Sequence, residues 1–229
     1  MGLDNIASMS ALPLVLSLLG CSINHGVRPV GKGNVAVTGS VGGPMVEVFD
    51  APLPLPLTEV GVRYGITERS DLHLGLHPSM YGFFRLAGVD AGGSYLLAPQ
   101  MGARPALNLD GSLMFVAGDT VPGTPTGGSR FFGDLAGLAS WEWGQRGHLA
   151  YTGAELFAQP RPWGLYASPV LGNRFQLGRR LALSVEAKWW NPWVDTEDLT
   201  LHWIAPANHG ALSVQAGLSV TFGGKEEGS

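Results

Sequence analysis

The stretch Val60-Gly-Val-Arg-Tyr-Gly-Ile-Thr-Glu-Arg-Ser-Asp-Leu-His-Leu-Gly-Leu-His77 alternates on both sides of a polar interruption. Val60, Val62, Tyr64 and Ile66 occupy every second position before it, and Leu72, Leu74 and Leu76 do so after it. A period of two marks β-strands, so this is a hairpin with one apolar face and one polar face. The apolar face of a soluble protein points inward, whereas that of a barrel in lipid points outward.

The same alternation recurs along the chain. Strands are expected at 34–41, 58–66, 71–77, 89–97, 106–117, 131–143, 148–158, 163–177, 181–190 and 211–222, with no amphipathic helix of useful length. Short turns follow the second, sixth and eighth of these, at Thr67–Ser70, Gly144–Gly147 and Gly178–Arg180. Longer Pro-, Gly- or Trp-bearing connections lie between them, with Gln159-Pro-Arg-Pro162 as a short exception. Short turns at one end and long loops at the other are the pattern of a membrane barrel.

Composition agrees with this pattern. Only 14% of residues are charged, and glycine supplies 34 of the 229 positions. Soluble domains carry roughly 25% charged residues. A net charge of −4 with no basic cluster excludes a nucleic-acid binder.

Aromatic positions orient the apolar face. Tyr64, Trp141, Trp143, Tyr151 and Phe222 fall near the short-turn rim, and Phe115, Trp163 and Trp189 near the long-loop rim. Two aromatic girdles around an aliphatic belt are what amphipathic rings form at the two lipid interfaces. The expected fold is all-β, a closed antiparallel up-and-down transmembrane barrel of about ten strands, with eight as the alternative.

The opening hairpin and the closing Leu212-Ser-Val-Gln-Ala-Gly-Leu-Ser-Val-Thr-Phe222 resemble bacterial outer-membrane β-barrel proteins. The resemblance covers residues 34–222 and implies an envelope component that is structural or passively permeable, is not an enzyme and carries no cofactor. Upstream, Leu18-Leu19-Gly20-Cys21 follows a short apolar run and resembles the bacterial lipobox. That likeness implies a signal peptide over 1–20 and acylation of Cys21, the sole cysteine. A lipidated tether over 21–33, the barrel over 34–222 and a polar tail over 223–229 complete the division. The Cys21 anchor and the C-terminus are then expected on the periplasmic side of the outer membrane, with membrane lipid as the barrel's partner.

The polar face gathers Glu59, Arg63, Asp71, His73, Asp90, Asp110, Asp134, Glu142, Arg174, Glu186 and Lys188. A narrow lumen is filled by side chains, so these are expected either to pair as a plug or to line a thin polar pore. By alternation Glu155 falls on the lipid face, so either a bulge near Gly153 shifts the register or Glu155 sits at the outer interface. His73 and His77 stand roughly 13 Å apart along a strand, too far to share an ion, and no metal site is expected.

His77 and Ser79 have a spacing similar to that of the outer-membrane lipid A deacylases, which implies a lipid-modifying hydrolase as one alternative. A soluble, lipocalin-like periplasmic binding barrel is another. The loop over 191–210, with Trp193 and Trp203, is expected to meet an envelope partner or to fold over the mouth.

Overall fold

In a computed structural model the chain forms a closed antiparallel barrel. The structure describes residues 25–48, 51–118, 128–160, 163–196 and 203–223. Residues 1–20, expected as a signal peptide, Cys21 and the tail beyond 223 lie outside the described residues.

The strands are β1 (Val35–Val48), β2 (Ala51–Pro54), β3 (Leu57–Thr67), β4 (Ser70–Leu76), β5 (Leu86–Ala98) and β6 (Ala106–Gly118), followed by β7 (Gly128–Trp143), β8 (His148–Pro160), β9 (Trp163–Gln176), β10 (Leu181–Asp195) and β11 (His209–Phe222). Each pairs with its sequence neighbour, except that β2 folds back only on the far end of β1. The remaining ten close on themselves. β1 pairs with β3 on one side and with β11 on the other, from Val35 opposite Phe222 to Pro44 opposite Ser213. Closure leaves no edge, which a sheet in lipid requires because unpaired backbone groups cost several kcal/mol each there.

All ten strands expected from alternation are present. Two elements were not expected, because neither carries a two-residue period. β2 is a Pro-rich extension above the barrel, and a short helix α1 (Pro78–Phe84) follows β4. Pro78 stands at the first turn of α1, where a missing N–H costs nothing. Arg85 ends it in the left-handed conformation and donates its N–H to the Tyr81 carbonyl at 3.0 Å.

The outer surface is aliphatic. Val60, Val62, Leu72, Leu74, Leu76, Leu113, Leu135, Leu165, Leu171 and Leu218 are all exposed, Leu113 by 69% and Leu171 by 63%. Each such side chain would gain about 1.5–3 kcal/mol by leaving water. β6 has 13 residues. At about 3.4 Å per residue and a tilt near 40° it projects to about 34 Å, enough to cross a hydrocarbon core of about 25–30 Å. Tyr64, Trp143, Phe222 and Trp163 also face outward.

β8 departs from its expected register. Tyr151 is 1% exposed and Glu155 0%, so both face the lumen, with Phe157 and Gln159 beyond them. Tyr151 is therefore not a girdle residue. Nor does a bulge place Glu155: β7 and β8 pair without interruption from Gly133–Ala158 to Trp143–His148. The strand carries apolar residues on both faces, with Leu149, Tyr151 and Phe157 inside and Leu156 outside, so its alternation alone is ambiguous. Burial of the carboxylate decides it.

Candidate functional site: the filled lumen

The interior divides into three levels. At the long-loop end is an apolar plug. Met80 from α1, Met114 and Val116 from β6, Phe132 from β7, Phe157 from β8, Trp190 from β10 and Trp203 pack together. The Phe132 and Phe157 rings stack at 5.5 Å, and Trp190 meets Phe157 edge-on at 5.7 Å. Trp203, at the far end of the last loop, reaches this cluster: it bridges Val46, and Ile204 donates its N–H to the Met45 carbonyl. That part of the loop acts as a lid, while Trp193 stays 64% exposed.

The middle level is ionic. Arg63 on β3 contacts Asp71 on β4 at 3.4 Å and Asp110 on β6 at 3.2 Å. Lys188 on β10 contacts Glu155 on β8 at 3.1 Å and Glu186 at 3.5 Å. Asp90 on β5 takes His77 on one oxygen at 2.9 Å and His73 on the other at 3.5 Å. The two histidines thus converge on one carboxylate, since His77 lies past the end of β4 and strand geometry no longer separates the rings. Ser94 donates to Asp71 at 2.8 Å, and Ser112 donates to Asp134.

The third level is a piece of chain rather than wall. Residues 25–30, expected as part of a lipidated tether over 21–33, run inside the barrel from the short-turn end. The Gly26 N–H donates to Asp110, and its carbonyl accepts from the Asn108 amide. Val27 packs among Ala136, Leu138, Leu149, Tyr151 and Val170. Arg28 donates to Ser140 at 3.2 Å, to Gln100 at 2.7 Å and to Glu142 at 3.1 Å. Glu142 therefore sits at the mouth, half-exposed, rather than deep in the lumen. The Val30 N–H donates to Asp71 at 3.1 Å.

His25 is the deepest described residue of this segment. Its Nδ1 lies 3.1 Å from Glu186, which also accepts from Tyr151 at 3.0 Å and Gln215 at 2.7 Å.

Glycines make the room. A Cβ on Gly65 would land on the Gly31 carbonyl, and one on Gly172 would enter the Tyr151 ring. Beside the segment a cavity of about 50 Å³ remains, lined by Ala36, Thr38, Arg63, Arg174, Ser184 and Ser219. That is space for a few waters.

Of the expected lumen residues, Glu59, Arg63, Asp71, His73, Asp90, Asp110, Asp134, Arg174, Glu186 and Lys188 all face inward. Asn108 and Gln215, on the polar faces of β6 and β11 by alternation, share this interior. His25, Tyr151, Glu155 and Gln159 belong to it without having been expected there, and nothing in the sequence marks His25. Ser79 lies apart from the ionic level. Its hydroxyl accepts the Thr58 N–H at 2.7 Å, and its own N–H donates to the Thr58 hydroxyl.

No protein-family model matches this chain, and no curated protein matches it. Among solved structures it is similar to bacterial outer-membrane β-barrel proteins. An outer membrane channel from Pseudomonas putida F1 aligns at 9% identity and TM-score 0.48, over 87% of this chain and 100% of that one. The NanC porin aligns at 9% identity and TM-score 0.42, over 81% and 98%. The outer membrane protein OprG of Pseudomonas aeruginosa aligns at 9% identity and TM-score 0.29, over 87% and 100%. The likeness is one of barrel architecture, and the role of the lumen follows from this chain's own residues.

Proposed function

We propose that the chain is a bacterial outer-membrane barrel that serves as a structural envelope component with a filled lumen, and that it catalyses no reaction. The observation that carries this reading is the aliphatic belt on the outside of a closed cylinder whose mid-strand ionisable groups, Arg63, Asp71, Asp110, Glu155, Glu186 and Lys188, turn inward. Water cannot accommodate such a surface; a bilayer can. The apolar plug at one end and the inserted segment at the other favour a sealed cylinder over a permeable one.

In the same reading Cys21 is acylated. The short-turn rim, where β1 begins beside the end of β11, is assigned to the periplasmic side together with the Cys21 anchor. Two or three acyl chains give stable attachment at about 0.8 kcal/mol per buried CH₂.

The hydrolase alternative gains a carboxylate, since Asp90 holds His77. Both groups, however, are enclosed in the lumen, away from any lipid substrate, and the Ser79 hydroxyl is engaged by Thr58. The soluble alternative conflicts with Leu218, which is 50% exposed.

The test is fractionation. The protein should enter solution only with detergent and run faster on gels before boiling than after. Recovery as a detergent-free soluble monomer overturns the reading. Unchanged lipid A in cells carrying Ser79→Ala supports the non-enzymatic assignment, and altered lipid A refutes it.

A further inference from the structure

The geometry points to a divalent transition-metal site inside the barrel, formed by His25 of the inserted segment with Asp134 of β7 and Glu155 of β8. One donor atom from each of these three residues lies within 4.8 Å of the others. Bonds of about 2.0–2.2 Å to a tetrahedral Zn²⁺ place neighbouring donors about 3.4 Å apart. Side-chain rotation of about an ångström closes that difference.

The hydrogen bonds around the cluster set its chemistry. The Glu186 carboxylate only accepts, and it already takes Tyr151 and Gln215, so the nearby His25 Nδ1 must be its third donor. With a proton on Nδ1, Nε2 lies 3.7 Å from Glu155 Oε2 and would offer its lone pair to a cation once the ring is neutral. His25 Nε2 and Glu155 Oε1 are both fully buried, and neither has a hydrogen-bond partner among the described residues. An imidazole held through its far nitrogen by a carboxylate is the arrangement that orients metal-bound histidines.

Glu155 has a separate oxygen for each task. Oε2 lies 3.1 Å from Lys188 Nζ and 3.7 Å from His25 Nε2, and rotation of the carboxylate would bring the buried, unpartnered Oε1 to a cation. Ser112 donates to Asp134 Oδ1 and fixes that side chain.

Charge makes the same demand. Asp134, Glu155 and Glu186 crowd three buried carboxyl groups around the one amine of Lys188, and a dication would relieve their mutual repulsion. One imidazole and two carboxylates suit Zn²⁺ or a similar first-row ion, with water as the fourth ligand. Since His25 belongs to the segment and the carboxylates to the wall, the bound ion would pin the segment in the lumen. The site depends on the lumen alone and not on where the barrel resides.

The test uses the full chain without a polyhistidine tag, folded in detergent, with Zn²⁺ as the probe. After dialysis against dilute Zn²⁺, the wild type should retain one equivalent per chain by elemental analysis. His25→Ala and Asp134→Asn should each weaken binding at least tenfold by titration calorimetry, while His209→Ala, on the exposed start of β11, should not. A wild type that retains no Zn²⁺, or whose binding survives His25→Ala but not His209→Ala, overturns the proposal and leaves a proton as the balancing charge. Should His25→Ala fail to fold, the visible spectrum of Co²⁺ bound to the wild type decides instead. A tetrahedral spectrum supports the site, and an octahedral one refutes it.

Discussion

Lys188 on β10 reaches across β9 to contact Glu155 on β8 at 3.1 Å, with side chains that are 1% and 0% exposed. Removing the cation strands two buried carboxylates, Glu155 and Glu186. Lys188→Met should therefore cost about 3–5 kcal/mol of stability. Lys188→Met combined with Glu155→Gln should cost less than the two single changes added together, because they share one interaction. Urea unfolding in detergent, followed by tryptophan fluorescence, measures both. A neutral Lys188→Met would show that the pair stabilises nothing.

The outer belt makes a prediction of opposite sign to that for a soluble protein. Leu171 lies mid-strand on β9 and is 63% exposed. On a water-facing surface Leu171→Arg would be nearly silent. On a lipid-facing one it should cost about 2–4 kcal/mol. Folding into phospholipid vesicles, scored by gel mobility before and after boiling, separates the two cases.

The filled lumen predicts that the wild type gives no sustained current steps in planar bilayers. Gly26→Leu places a side chain on the Arg63 guanidinium and should dislodge the inserted segment. It should still give no steps, because Phe132, Phe157 and Trp190 close the other half. Steps are expected only when Gly26→Leu is combined with Phe132→Ala and Phe157→Ala. Steady conductance from the unaltered chain would contradict this picture.

Tyr151 donates to Glu186 at 3.0 Å from inside the barrel. Tyr151→Phe should lose about 1.5–3 kcal/mol, as for a hydrogen bond to a charged group. A girdle residue on the lipid face would lose almost nothing. Gly172→Val, which drives a side chain into the same ring, should be worse than Tyr151→Phe. Thermal unfolding of the three chains gives the order.

The wall was legible because alternation is a property of the chain itself. On β6 and β11 apolar residues recur at every second position, and burial follows that rhythm over 106–116 and 211–218. β8 was not legible by the same rule. Tyr151 suits an interface ring as well as a buried donor, and only the hydrogen bond to Glu186 distinguishes them. The interior partnerships were harder still. Arg63 joins β4 to β6, and Lys188 joins β8 to β10, through curvature that no single strand encodes. The segment at 25–30 is polar and glycine-bearing like any linker, so its place inside depends on the cavity that receives it.

Because β1 finds its last neighbour in β11, the cylinder cannot seal until the far end of the chain arrives. Contacts between distant parts of a sequence form slowly, since loop entropy is lost before they repay it. The wall groups that grip residues 25–30 come from β4, β6, β7 and β10, so they converge only as the sheet curls. The inserted strip of backbone therefore works as a mandrel: the sheet wraps around it, and its fit rewards the final zipping of the seam.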